Sequence, residues 1–271
     1  MKHDLAILIP SCDAYADTWK PFFHFFWKHW PDCPFDVYLG TNYKDFNDPR
    51  VRIIKVGDDV SWADNMNKML TIINAPYVLL FLDDYFIYRC TPAKIMEAFD
   101  AFRKLNARYM QLTPTPRPNR KVPGYPMLGE IQKGARYRTA IGIEFWDVNT
   151  LLSLLKEGES AWDMEAKGSE RAKDLDGFYR TWKPVVGVHN AIVRKRWQRR
   201  AVSYCRRNGV PVDISIRSVF SVSETAWTGI KSFIRRTISR LPEPVFIQLF
   251  LLGRKTLNLF SPDTKKQVRK S

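Results

Sequence analysis

Two adjacent acids stand where the most apolar segment of the chain ends: Tyr77–Leu82 reads YVLLFL and runs straight into Asp83 and Asp84. Two carboxylates held together at the mouth of a buried strand are costly unless a cation or hydrogen-bond donors compensate them. A divalent ion bridging a diphosphate would do so, and hard oxygen ligands suit Mg2+ or Mn2+. The plainer alternative is that one Asp caps the next turn while the other is solvated. A second acidic group lies in GESAWDMEAKGSER (158–171), where Asp163 and Glu165 flank Trp162. A positioned carboxylate can take the proton of an attacking hydroxyl, and a neighbouring Trp raises its pKa by excluding water. The alternative is an ordinary first helical turn, with acids at the positive end of the dipole. His189 follows the apolar run VVGV and precedes IVRKRW, a segment that reads as a basic helix. An imidazole there would serve as a metal ligand, although a lone His is more often structural. Arg194, Lys195 and Arg196 would suit a diphosphate or simply remain solvated.

These groups need elements to hold them. Leu5–Pro10 (LAILIP) is a short apolar run typical of a central parallel strand. Residues 14–30 follow as an aromatic-rich helix broken near its start by Pro21, with Trp19, Phe22, Phe23, Phe26, Trp27 and Trp30 at core spacing. Strands are expected at 35–40, 51–56, 77–82, 109–112 and 139–146, and helices at 62–74, 92–105 and 147–157. Ser61 would cap the helix whose buried face is Trp62, Met66, Met69, Leu70 and Ile73. The stretch 113–137, with five prolines and three glycines, reads as a long loop. The alternation of strands and helices predicts an α/β fold with a mostly parallel sheet covered on both faces. Ligands of such sheets bind beyond the carboxyl ends of the strands. Ser11 and Asp13 fall there after the first strand, Asn42 after the second and the acid pair after the fourth. No GxGxxG or GxxxxGK[ST] loop follows the first strand, so classical dinucleotide and P-loop sites lack support.

The motifs IPSCD (Ile9–Asp13), a helix bearing Trp62 and Asn65, and the strand end LLFLDD (Leu79–Asp84) resemble the GT-A nucleotide-sugar glycosyltransferases. The likeness is to bacterial family-2-like enzymes of surface polysaccharide synthesis, and it covers roughly residues 4–200. It implies a single GT-A-like (Rossmann-like) domain over residues 1–218. It also implies a sugar transfer, inverting by a single displacement, from a nucleotide-sugar donor to a glycan or lipid-linked acceptor. Ser11 and Asp13 would meet the nucleobase and ribose, with Trp62 and Asn65 bordering the nucleotide. Asp83 and Asp84 would stand in for the family's Asp-x-Asp element, Asp83 at the ribose and Asp84, with Asp83 as a second carboxylate, on Mn2+ or Mg2+, with His189 as a late metal ligand. Glu165 or Asp163 would be the base. Tyr85 stands where the family has its second Asp, which puts the metal in doubt and keeps a catalytically degenerate scaffold as an alternative. A nucleotidyltransferase is another, but it would show a basic glycine-rich loop where this chain has SCDAYAD.

Charge sets the end of the chain apart. Of the net +15, residues 190–271 carry 18 Lys+Arg against 4 Asp+Glu. In 227–241, Trp227, Ile230, Phe233, Ile234, Ile238 and Leu241 form one helical stripe among Arg and Lys. Residues 219–271 are therefore read as a basic amphipathic helical extension. Through 227–271 it would bind an anionic membrane surface, placing the protein in the cytoplasm on the inner face of the membrane. The alternative is that these faces pack on the body or on a second subunit in a homo-oligomer. Nucleic acid is disfavoured because no recognised fold signature accompanies the charge. No apolar run is long enough to span a membrane, and the N-terminal apolar stretch is too short for a secretory signal. Cys12, Cys33, Cys90 and Cys205 lack metal or disulfide spacing, which points to reduced thiols. No Ser-His-Asp order, nucleophile elbow or HExxH motif supports a hydrolase.

Overall fold

The computed structural model describes residues 4–225. Its centre is a nine-stranded sheet built on β1 (Leu5–Ile9), β2 (Asp36–Thr41), β3 (Val51–Lys55) and β4 (Tyr77–Phe81). These four pair in parallel in the order β3-β2-β1-β4. Beyond β4 the order continues with β9 (Ile143–Asp147), β6 (Tyr109–Gln111), β10 (Phe178–Thr181), β8 (Tyr125–Glu130) and β7 (Arg120–Val122). Only β9 and β8 run against the others, so the sheet is mostly parallel in sense, as the alternation predicts.

Both faces are covered, and strand periodicity shows how. Leu5, Ile7 and Ile9 of β1 join one core cluster, while Ala6 and Leu8 join the other. The first cluster is filled by α1 (Ala16–His29) and α3 (Pro92–Lys104), the second by α2 (Trp62–Ile72) and α4 (Val148–Leu154). The α1 helix runs through Pro21 rather than breaking there. A proline inside a helix costs about 3 kcal/mol. Burial of Phe22, Phe23, Phe25 and Phe26, each contributing about 1.5–3 kcal/mol, outweighs it.

Three segments depart from the sequence expectation. The proline-rich stretch contains the hairpin β7–β8, which closes one edge of the sheet. The chain after the acid pair re-forms as β5 (Tyr85–Cys90), which pairs antiparallel with β11 (Val186–Asn190) in a separate small sheet. The segment IVRKRW is not a helix. It is a tight hairpin of β12 (Ile192–Val193) and β13 (Arg196–Trp197), turned by Arg194 and Lys195 at φ 51° and 60°. Buried Ile192 and Trp197 decide this, because they must face the core from directly opposed positions. After α7 (Arg199–Arg207) the chain returns across this hairpin. Ser218 and Phe220 bond to the Trp197 backbone, and Glu224 pairs with Arg196 at 2.7 Å. The amphipathic segment 227–271 lies outside the described residues. Among the described residues no helix is long and apolar enough to cross a membrane.

Candidate active site

The carboxyl ends of β1, β2 and β4 converge on one group of polar side chains. Trp19 of α1 donates its indole N–H to Ser11 Oγ at 2.7 Å, and Ser11 in turn donates to the Asp83 carboxylate. Asp83 is buried, and Asp84 is partly so. Burial, then the neighbouring Asp84 charge, pushes Asp83 well above the usual carboxylate range, and burial does the same for Asp84. One positive group opposes this: Arg217, brought in by the segment after α7, favours the charged form of Asp84. Arg217 is itself buried, paired with buried Asp17 at 2.8 Å, bonded to the Ala14 carbonyl and stacked on Tyr15.

Asp13 and Asn42 clasp each other across the ends of β1 and β2. The Asp13 amide donates to Asn42 Oδ1 at 2.9 Å, and the Asn42 amide donates to Asp13 Oδ1 at 3.0 Å. The same carboxylate also accepts from the Tyr43 and Lys44 amides. Ser61 caps α2, accepting from the Asp64 amide, and Trp62 packs partly buried on the second core. Asn65 donates to Asp59 at 2.7 Å, while its buried Oδ1 has no partner among the described residues.

The second acidic group separates into two roles. Ser160 and Asp163 form a reciprocal capping box on α5 (Ala161–Asp163), and Lys167 pairs with Asp163 at 2.9 Å. These hydrogen bonds, led by Ser160, hold the Asp163 carboxyl down near about 2. Glu165 lies in the wide π turn Met164–Gly168 that precedes α6 (Ser169–Arg171). It is partly buried, and burial raises its pKa against the opposing pull of the Ile141 amide, which donates to Oε1 at 2.9 Å. Trp162 is 70% exposed beside it. Asp163 thus has the geometry of a cap, whereas the Glu165 carboxylate accepts a single hydrogen bond, from the Ile141 amide.

Tyr85, the residue after the acid pair, is partly buried. Its phenol is pushed up by burial and by the charges of Asp84, Glu144 and Glu165. At Gly142 an added Cβ would lie 3.5 Å from Gln111 Nε2 and 3.7 Å from both Glu144 Oε2 and the Tyr85 ring. Glu144 and Arg217 are the residues that sequence reasoning missed. An acid between the apolar residues of the strand IEFWD was a usable signal for Glu144, since an unpaired buried carboxyl is rare. Nothing local marks Arg217, whose contacts lie some 200 residues away in sequence.

His189 does not join the acids. It packs between the rings of Tyr88 and Tyr204, at 4.6 and 5.0 Å, and burial, then Arg200 and Arg207, lower its pKa. Among the described residues no three of His, Cys, Asp and Glu come together as a ligand set. The donor set at the acid pair is nevertheless carboxylate and hydroxyl oxygen. That fits Mg2+ or Mn2+ held by one or two carboxylates and completed by substrate phosphates and water. Of the basic trio Arg194–Arg196, Arg196 pairs with Glu224 and stacks on Phe220.

No protein-family description matches the chain, and no curated protein does. Similar solved structures include S. aureus TarS 1–349, at 11% identity over 65% of this chain and 60% of that one, TM-score 0.46. TarS 1–349 has also been solved in complex with UDP-GlcNAc. Another is the mannosyltransferase PcManGT from Pyrobaculum calidifontis in complex with GDP-Man and Mn2+, at 10% identity over 70% and 57%, TM-score 0.46. A third is a UDP-glucose pyrophosphorylase complexed with UDP-glucose, at 8% identity over 69% and 93%, TM-score 0.46. The chain thus spans less than two thirds of the TarS 1–349 and PcManGT structures. At this level of likeness the chemistry rests on the geometry of the chain itself.

Proposed function

We propose that the chain is a glycosyltransferase, moving a sugar from a nucleotide-sugar donor to a glycan or lipid-linked acceptor in bacterial surface polysaccharide synthesis. The observation that carries the reading is the polar cluster at the carboxyl ends of β1, β2 and β4, where Ser11 donates to Asp83 beside Asp84 and Asp13 and Asn42 clasp each other. Ser11, Asp13, Trp62 and Asn65 would hold the nucleoside. Asp83, fixed by Ser11, would meet the ribose, and Asp84 would face the diphosphate. Mn2+ or Mg2+ bound at Asp84 would supply charge neutralisation to that diphosphate. Glu165 takes the proton of the acceptor hydroxyl, whose oxygen attacks the anomeric carbon from the face opposite the diphosphate. The bond to the diphosphate breaks, the nucleoside diphosphate leaves with its electron pair, and the anomeric configuration inverts. Arg217 offsets negative charge at the donor end throughout.

Residues 227–271 would hold the enzyme peripherally on the inner face of the membrane, beside a lipid-linked acceptor, with the alternative of contact to a second copy. The product distinguishes the rival readings. With nucleotide sugars and a membrane glycolipid extract, a transferase releases nucleoside diphosphate. A nucleotidyltransferase instead turns nucleotide sugar and pyrophosphate into nucleoside triphosphate and sugar 1-phosphate. Triphosphate formation without diphosphate release would overturn the proposal, and neither product would favour a degenerate scaffold.

A further inference from the structure

Two charged residues inside the sheet lack the partners that buried charges require. Glu144 of β9 has no exposed surface, and neither carboxyl oxygen makes a hydrogen bond. The Gly142 amide and the Trp146 indole lie near enough to favour its charged form, yet neither closes a hydrogen bond. Arg180 of β10 is just as deeply buried and has no carboxylate in contact among the described residues. Its guanidinium donates instead to Gln111 Oε1 at 2.7 Å, to the Pro116 carbonyl at 3.2 Å and to the Tyr137 carbonyl.

The register places these groups in one row. Gln111 of β6 stands opposite Glu144 on one side and opposite Arg180 on the other. Directly opposed residues share a face, so all three side chains project together, with Glu144 and Arg180 two strand spacings, about 9.6 Å, apart. Arginine keeps its charge, and an ion left unpaired in the interior is costly, so the acid and the guanidinium are natural partners. They are not paired here because the guanidinium is occupied by two carbonyls near opposite ends of the stretch 113–142. That stretch also supplies the Ile141 amide that holds Glu165 and the Ala140 carbonyl that accepts the Tyr109 hydroxyl.

We propose that Glu144 and Arg180 form a latch on the segment 113–142. While Glu144 is neutral, the guanidinium pins the Pro116 and Tyr137 carbonyls. When Glu144 ionises, the guanidinium turns to it and lets them go. The groups facing Glu144 are Glu165 from the π turn, Tyr85 from β5, Tyr109 from β6 and Arg180 from β10. Burial is the largest influence and raises its pKa, Glu165 adds to the rise, and Arg180 opposes it. The pinned state therefore belongs to lower pH, and release follows as pH rises. Release would withdraw the Ile141 amide from Glu165, which makes Glu144 a positioning residue that acts on the base through Arg180. The latch does not depend on which reaction the site performs.

Hydrogen–deuterium exchange of the full chain, corrected for intrinsic rates between about pH 6 and about pH 9, reads the latch directly. One-proton linkage predicts that protection of the 113–142 amides falls by about tenfold per pH unit until Glu144 ionises. Glu144→Gln and Glu144→Met, neutral at every pH, should hold that protection constant. Protection that is independent of pH in the natural sequence, or that falls equally in both variants, would overturn the latch.

Discussion

Glu165→Gln is expected to lower turnover by about 10²- to 10⁴-fold, the usual contribution of a positioned general base. Nucleoside diphosphate affinity should stay unchanged, because the Glu165 carboxylate bonds to the Ile141 amide and not to Ser11, Asp13 or the acid pair. The carboxamide keeps the shape of the side chain and can still accept from the Ile141 amide, so stability should change little. The pH profile adds a sign. A base must be ionised to work, and burial raises the Glu165 pKa, so the rate should fall with acidification from above the ordinary carboxylate range. Asp163→Asn is the contrast: its carboxyl is held low by Ser160 and Lys167 and serves as a cap. A Glu165→Gln enzyme with near-normal turnover would remove Glu165 as the base.

Arg217→Met should be the most destabilising change in the donor region. It leaves Asp17, whose side chain is only 2% exposed, as a buried carboxylate without its cation. Removing one member of a buried pair costs about 3–5 kcal/mol, mostly the penalty of stranding the other. Arg217 also relieves the negative charge of Asp84, so its loss works in the same direction. Urea denaturation should show the midpoint fall sharply, with Asp17→Asn added to Arg217→Met restoring part of the loss. A change below about 1 kcal/mol would mean that the pair behaves like an exposed one.

The polar cluster at the ends of β1, β2 and β4 was legible in the sequence because its signals are local. The apolar runs of β1 and β4 lead straight into Ser11, Asp13 and Asp83-Asp84, and Ser61 announces α2 by its cap. The burial of β1 on both faces and the aromatic spacing of α1 follow from the same residues that a linear reading sees. The missed parts depend on contacts distant in sequence. β5 exists because β11, about a hundred residues later, pairs with it. The IVRKRW hairpin is set by the burial of Ile192 and Trp197, which outweighs the helical look of its basic residues. The ring packing of half-buried His189 against Tyr88 and Tyr204 likewise depends on partners from β5 and α7. The closeness of Gly142 to Gln111, Glu144 and Tyr85 is likewise set by the fold, because these residues come from separate strands.

The central claim is that the acid pair marks a nucleotide-sugar site, and a thermal shift tests it most directly. The full chain and Asp84→Ala would be melted with a panel of nucleoside diphosphates and nucleotide sugars, each with Mn2+, Mg2+ or EDTA. Ligand bound to the native state raises Tm by mass action, by about 2.7 kcal/mol of stabilisation at a hundredfold excess over Kd. The account predicts a rise with one nucleotide class that depends on the divalent ion and disappears in Asp84→Ala. A rise that survives EDTA would retain the donor site and remove the metal from it. No rise with any nucleotide or nucleotide sugar would contradict the account.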